Sequence, residues 1–195
     1  MIPAGGGTKE MLLRAIDHAV ALAPPDPKDP SSRFAQSAEM GAALKRIFET
    51  IALAKVSTSA AEARPLGMLL PYDRITMNRE RLLLDAKAQA ATLAAAGYVA
   101  PQPRTQIAAP GLGVLALLET AVFLMGEAGY ASEHDQKVAR WAAYILAGGR
   151  VTAGSLLSEQ YLLDLELEAF LSLCGERKTQ ERIAFTLKTG KPLRN

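Results

Sequence analysis

The sequence predicts a mainly α-helical protein with two lobes joined by a proline-rich linker. Apolar residues recur at helical spacing through most of the 195 residues. Glycines and prolines end these periodic stretches, and Ser, Thr or Asn stands where the next ones begin. One stretch has the character of a strand, and 49% hydrophobic residues suffice for a buried core. We therefore expect helices with at most one or two short strands.

The first half carries clear helix signals. Gly5–Gly7 allow a tight turn, after which the Thr8 hydroxyl can accept a hydrogen bond from the first turn of a helix. The prolines from Pro24 to Pro30 cannot continue that helix. We expect two helices next: one opened by Ser31 or Ser32 and carrying Phe34 to Ile51, and a short one with a Ser59–Glu62 capping box that ends at Gly67. A strand should follow within Met68–Met77, centred on Arg74–Met77, and then a helix that is capped by Asn78 and ends at Gly97.

The second half begins with an extended segment. Tyr98–Gly113 contains three prolines and two glycines without periodicity, which indicates a linker. The helices expected after it are one carrying Leu115 to Met125 and ended by Gly129, one capped by Ser132 and ended by Gly148, one capped by Ser158 and ended by Gly175, and one carrying Ile183 to Leu187 and ended by Gly190. Leu163–Leu167 alternates like a strand, but its flanks keep the helical period, so we expect a helix there.

Composition and charge argue against several classes of protein. Lys and Arg number 22 against 20 Asp and Glu, and a net charge of +2 gives no concentrated basic face for nucleic acid. The single cysteine, Cys174, rules out an internal disulfide, and with two histidines we expect no metal site. No apolar run reaches membrane-spanning length, and no basic-then-apolar leader stands at the start. We therefore expect a cytoplasmic protein without a membrane span.

Candidate chemistry is sparse. The Gly5–Lys9 run lacks the order of a nucleotide-binding loop, and we favour a plain turn over an anion site at this helix start. Glu133, His134 and Asp135 are adjacent on a helix and point apart, so first-turn acids are favoured over a metal or acid–base cluster. Acids expected on a solvated face are Glu159, Asp164, Glu166 and Glu168. Five basic residues lie near the end of the chain: Arg177, Lys178, Lys188, Lys191 and Arg194. They either complement the helix dipole and keep the protein soluble, or bind phosphate as in a coenzyme A site.

Several motifs carry a family resemblance. Ile2–Thr8, followed by an amphipathic helix, resembles the Ile-Pro-Gly-x-Gly-Gly-Thr segment of the enoyl-CoA hydratase (crotonase) family. Ser57–Gly67 resembles the Ser-Ala-x-Glu-Ala-x-x-x-Gly helix of that family, and Met68–Met77 resembles the strand after it. Four further stretches resemble one subgroup, the bacterial 3-hydroxyacyl-CoA dehydrogenases, which have a Rossmann portion first and a crotonase-like portion last. These stretches are Asp73–Glu80, Ser132–Asp135, Glu159–Glu166 and Lys188–Asn195.

The resemblance implies the helical C-terminal part of a crotonase-like fold, followed by a helical bundle. Its segments are 1–97 as the end of the crotonase-like domain, 98–113 as the linker and 114–195 as a C-terminal helical domain. In the family, the oxyanion-hole donors, the acid–base carboxylates and the NAD-binding portion would all precede Met1. The chain is therefore expected to be a fragment without a catalytic residue or cofactor of its own, whose parent enzyme uses NAD and acyl-CoA.

The substrate contacts implied by the resemblance are few. In the family the backbone N–H after the proline helps to hold the reacting water, and the corresponding backbone here is that of Ala4 and Gly5. The family commonly has glycine at the position of Ala4, but a backbone donor tolerates alanine if φ is negative. Lys188 and Lys191 are candidates for contacts with the phosphates of coenzyme A.

Two functions stay open at this point. In the first, the chain is part of a fatty-acid β-oxidation enzyme that acts on acyl-CoA thioesters, and is itself inactive. In the second, it is a helical packing and oligomerisation module without a ligand of its own. We expect a homo-oligomer, because a fragment would expose apolar surface on its first helix and on the strand around Ile75.

Overall fold

The computed structural model describes the backbone of residues 5–195, and their side chains except those of residues 30–35. Within this part the chain is mainly α-helical, as predicted, with eight α-helices and two strands of two residues each. The elements are α1 (Gly7–Leu22), α2 (Pro30–Ala52), α3 (Ala60–Ala63), a 3-10 helix (Arg79–Arg81), α4 (Leu82–Ala95), β1 (Ile107–Ala108), α5 (Gly111–Glu127), α6 (Glu133–Leu146), β2 (Leu156–Leu157), α7 (Glu159–Cys174) and α8 (Arg177–Thr189).

The chain forms two compact units. The larger contains the residues up to Val56 together with Arg104–Asn195, and the smaller is Ser57–Pro103. These units differ from the predicted segments 1–97, 98–113 and 114–195, because α1 and α2 pack against α6 in the larger unit. Helical periodicity shows which face of a helix is buried, but not which helix covers it. As domains of a parent enzyme, the predicted segments stay a prediction.

The core of the larger unit is built around α6. This helix packs against α1, α2, α5 and α7. Its buried face combines alanines with two larger aliphatic side chains: Ala139, Ala142, Ala143, Ile145 and Leu146. Small side chains let neighbouring helices approach closely, so several helices can share this one surface. Large side chains from those neighbours complete the core, among them Leu12, Phe48, Leu118, Leu162 and Leu173.

The two strands lie within the larger unit. They pair antiparallel, with Ile107 opposite Leu157 and Ala108 opposite Leu156. Within the segment 98–113, predicted as a linker, β1 lies in the second half and Ile107 is buried. A strand of two residues is too short to produce a periodic pattern, so β1 could not be predicted from the sequence.

The strand predicted within Met68–Met77 is not formed. Residues 74–76 have no regular secondary structure, and the sheet in the described part of the chain consists of β1 and β2. Asp73 holds this segment in turns instead, since its carboxylate accepts the N–H of Leu70 at 2.7 Å and its carbonyl accepts from the Arg64 guanidinium at 2.8 Å. A strand needs a neighbouring strand for its backbone hydrogen bonds, and none lies beside this one.

Several predicted helix caps are confirmed. Asn78, Ser132 and Ser158 each accept a hydrogen bond from a backbone N–H in the turn that follows. A side-chain oxygen at this position satisfies a donor that the helix itself cannot. The candidate caps Ser31 and Ser32 lie outside the described side chains.

Other local predictions need correction. Ser59 caps α3, but the carboxylate of Glu62 accepts from the N–H and hydroxyl of the residue before Ser59 rather than completing a capping box. Thr8 is not a cap: the cap of α1 is Gly6, and Thr8 is buried inside the first turn. Leu163–Leu167 is helical, as predicted.

The exposed apolar surface is more widely spread than predicted. On α1, most of the apolar face is buried but Val20 and Leu22 are exposed, and in the predicted strand Ile75 is half-buried but Met77 is exposed. Exposed large apolar side chains are also found on α4, as Leu82, Leu83 and Leu84, and on α5, as Leu117, Phe123 and Leu124. Most of the apolar face of α1 is covered because α2 and α6 pack onto it.

Candidate functional site

The glycine turn at the start of α1 is the first of the predicted site elements. Gly5 is exposed, and Gly6 caps the helix in a left-handed conformation with φ of 91°. Residues with a side chain are strained at such a φ, so the turn depends on glycine at this position. The free N–H groups of a helix start carry the positive end of the helix dipole, which favours an anion there.

A buried carboxylate occupies this helix start. Glu166 of α7 is 1% exposed; its Oε2 accepts the N–H of Gly6 at 2.7 Å, and its Oε1 accepts the N–H of Lys9 at 2.5 Å. The N–H of Thr8 also donates to this carboxylate. Burial raises the pKa of Glu166, and the hydrogen bonds from the three N–H groups oppose that rise. The anion-binding position is thus filled by a side chain of the same chain.

Glu166 overturns the prediction that the acids of α7 form one solvated face. Asp164 and Glu168 are exposed, as expected. Glu166, however, lies four residues after Leu162 and three before Ala169, and both of these are fully buried. It therefore belongs to the buried stripe of α7, and that spacing was the sequence signal for its position.

Lys9 extends the polar cluster. Its ammonium lies 2.5 Å from Glu10 and 2.8 Å from Glu159, although the side chain is almost fully buried. Glu159 also accepts the N–H of Arg104 at 2.8 Å, and the Arg104 guanidinium holds both carboxylate oxygens of Asp17 at 2.7 Å. Burial lowers the pKa of Lys9, but the two carboxylates outweigh it and raise the pKa overall. The Lys9 hydrogen bond in turn lowers the pKa of Glu159.

This arrangement is an anchor rather than a reaction centre. Each oxygen of Glu166 accepts a backbone N–H, and Lys9 is paired on two sides, so both groups are engaged within the chain. A general acid or base must instead face the proton that it transfers. Among the described residues, no group of His, Cys, Asp and Glu side chains could hold a metal ion. The cluster fixes the start of α1 to the middle of α7, 160 residues further along the chain.

The remaining predicted contacts stay predictions. Ala4 lies outside the described residues, and Gly5 is exposed. Lys188 is in the last turn of α8, and Lys191 follows that helix. Both lysine side chains are exposed, so their ammonium groups are accessible to an anion.

Glu133, His134 and Asp135 diverge, as predicted. Glu133 is exposed, whereas His134 is buried with its Nε2 atom 2.9 Å from Oγ1 of Thr179. Asp135 completes the capping box of α6 and pairs with Arg182 at 2.8 Å. Burial lowers the pKa of His134, and the charge of Arg182 adds to this effect. Burial alone would raise the pKa of Asp135, but the hydrogen bonds from Arg182 and Ser132 and the charge of Arg182 together outweigh it and lower that pKa.

Comparison with known proteins identifies a relative. Over all of its 195 residues, the chain is 43% identical to a probable 3-hydroxyacyl-CoA dehydrogenase of Bacillus subtilis (strain 168). It spans 22% of the length of that relative. No protein-family model and no solved structure matches the chain.

In the described residues, no helix combines the length and apolar character needed to cross a membrane. The crotonase-like part of the resemblance stays a prediction.

Proposed function

We propose that the chain is the helical C-terminal part of a 3-hydroxyacyl-CoA dehydrogenase of fatty-acid β-oxidation, in which a crotonase-like portion follows a Rossmann portion. The observation that carries the proposal is the 43% identity along the whole chain to a probable 3-hydroxyacyl-CoA dehydrogenase. The motif at Ile2–Thr8 supports the crotonase-like portion. The parent enzyme acts on acyl-CoA thioesters in the cytoplasm and transfers hydride to NAD.

The chain by itself has no turnover. The titratable groups at the glycine turn bind one another and the backbone, which supports a structural role for them. The measurement is an assay of the 195 residues with crotonyl-CoA, and with 3-hydroxybutyryl-CoA plus NAD. Product formation above background in either assay contradicts this part of the proposal.

A chimera tests the place of the chain in the parent enzyme. The chain replaces the matching segment of the Bacillus subtilis dehydrogenase, and NADH formation from 3-hydroxybutyryl-CoA is followed. We expect the chimera to keep most of the activity of the intact relative. The same chimera with Glu166→Leu is the control: it differs at one residue and loses the anchor of α1, so its activity should fall. A folded chimera that forms no NADH contradicts the proposal.

Within the proposed function, the backbone of Ala4 and Gly5 contacts the acyl-CoA, and Lys188 and Lys191 contact its phosphates. The exposure of both lysines supports this assignment. Calorimetry with coenzyme A tests it: the binding heat should fall in Lys188→Ala and in Lys191→Ala. Arg140→Ala, which removes an exposed cation of α6, is the matched control. Equal heats in all variants contradict the assignment.

A second function, as a packing and oligomerisation module, is favoured by the exposed apolar side chains of α5. Leu117, Phe123 and Leu124 are each more than half exposed, and covering them in a homo-oligomer would remove apolar surface from water. Sedimentation of the chain at high concentration should show association that Phe123→Asp weakens. A monomer at all concentrations contradicts this function.

A further inference from the structure

The larger unit contains a cavity that the proposed function does not use. Its volume is about 280 Å³, and it lies among the end of α2, the helices α5, α6 and α8, and the residues after α8. Most of its wall is aliphatic, with side chains that include Ile51, Leu53, Val122, Met125, Val138 and Ile183. Such a cavity favours an apolar ligand, because burial removes the apolar surfaces of both ligand and wall from water.

Four of the polar side chains in the wall are already paired within the protein. His134 Nε2 lies 2.9 Å from the Thr179 hydroxyl. The Arg182 guanidinium binds Asp135 at 2.8 Å and the side-chain oxygen of Asn195 at 2.7 Å. A water molecule held in a cavity needs two to four polar partners, and these pairs leave few for it. An aliphatic occupant is therefore favoured over water or a polar molecule.

One cation at the cavity, Arg194, differs from these paired groups. Arg194 lines the cavity and is exposed. Within the described part of the chain, its guanidinium forms no ion pair or hydrogen bond. A guanidinium binds a carboxylate or phosphate through two parallel hydrogen bonds. The cavity thus combines apolar walls with one cation that is available to an anion.

We infer that this cavity binds an unbranched alkyl chain that ends in an anionic group, with the chain along the aliphatic wall and the anion at Arg194. The inference goes beyond the proposed function, because it rests on the cavity alone. A free fatty acid presents this chemistry directly, whereas an acyl-CoA thioester ends its acyl chain in a neutral carbonyl and carries its negative charges on the phosphates of coenzyme A. The volume is at the small end of ligand pockets, which fits one chain of medium length.

Calorimetry of the 195-residue chain with hexanoate, octanoate, decanoate and dodecanoate is the first test, and it needs no variant. Each added methylene that is buried should raise the affinity about fourfold, until the cavity is filled. We expect one site per chain and a levelling of the affinity within the series. Absence of binding, or an affinity that does not depend on chain length, overturns the inference.

Two variants locate the site. Val138→Trp fills the cavity and should weaken dodecanoate binding at least tenfold. Arg194→Glu reverses the charge offered to the anion and should weaken it by a similar factor. Arg140→Glu is the matched control, with the same change of charge at an exposed position of α6 outside the cavity wall, and should change binding less than twofold. Binding that is unchanged in both folded cavity variants overturns the inference.

A final comparison distinguishes the two sources of the chain. Dodecanoyl-CoA binding more tightly than dodecanoate supports a thioester as the occupant, and weaker binding supports a free fatty acid. Coenzyme A alone should not compete with dodecanoate for the cavity, and competition by it counts against an alkyl site. If the chimera described above lacks activity while dodecanoate still binds, only the proposed function fails.

Discussion

Replacing Glu166 by leucine tests the anchor between α7 and α1. The substitution removes the acceptor of the backbone N–H groups of Gly6, Thr8 and Lys9. Leucine fits the apolar stripe of α7 and is similar in size, so the change acts through the lost hydrogen bonds and charge more than through a void. Because the site is almost closed to water, with Glu166 1% exposed, solvent cannot readily replace the carboxylate.

The expected loss is large for one side chain. A buried N–H group without a partner costs about 1–3 kcal/mol, so three of them give a gross loss of roughly 3–9 kcal/mol. Removal of a buried charge offsets part of this, because burial disfavours the ionised form of Glu166. We expect the free energy of unfolding of the larger unit to fall by about 3–5 kcal/mol, within the lower part of this range. Glu166→Gln keeps one good acceptor and should lose about 1–3 kcal/mol.

Urea unfolding followed by the fluorescence of Trp141 measures this loss. Trp141 is the one tryptophan of the sequence and lies on α6, so it reports on the larger unit. With a slope of about 2 kcal/mol per molar urea, the midpoint for Glu166→Leu should fall by about 1.5–2.5 M. The control is Glu168→Leu, an exposed acid on the same helix, which should stay within about 0.5 kcal/mol of the parent chain. If the two variants are equally stable, the anchor does not hold α1 as argued.

Three other substitutions probe the packing and the titration of the larger unit. Leu118→Ala empties a fully buried position and should cost about 2–5 kcal/mol in urea unfolding, and a cost below 1 kcal/mol contradicts the packing. Gly111→Ala should lower the melting temperature, because φ is 77° and the new Cβ would lie 2.3 Å from the backbone nitrogen of Ala153; an unchanged melting temperature argues against this close approach. Burial lowers the pKa of His134 below 6.5, so the unfolded chain takes up a proton at a higher pH than the folded chain does. His134 therefore stabilises the fold above pH 6.5, and this contribution is lost as pH falls. The stability difference between the parent chain and His134→Gln should therefore decrease below pH 6.5, and a constant difference contradicts the assignment.

Local features of the fold could be predicted from sequence because their causes are local. The caps Ser132 and Ser158 act within one helical turn, and glycine ends the helices that they begin. The helical interpretation of Leu163–Leu167 held because its flanks keep the period of 3.6 residues. The strand expected around Ile75 failed for the opposite reason, since a strand depends on a neighbour that lies elsewhere in the sequence.

At the candidate site, too, local features could be predicted from the sequence and long-range contacts could not. That the glycine turn begins a helix could be predicted from the turn itself and the apolar period after it. That Glu166 fills this helix start could not, because its partner is 160 residues away and no local pattern connects the two. The position of Glu166 on α7 predicts its burial better than its charge does, because a buried acid is stable when the fold supplies hydrogen-bond donors to it.

The distance in sequence between Gly6 and Glu166 has a consequence during synthesis. At about 5–20 residues per second, the ribosome needs roughly 8–32 s to make the 160 residues that separate them. During that interval, the amides at the start of α1 lack the carboxylate of Glu166, and until α6 is made the apolar side of α1 also lacks that neighbour. Nascent chains of this protein therefore pass through a period in which α1 is incompletely covered, and binding by a chaperone would matter most before α7 leaves the ribosome.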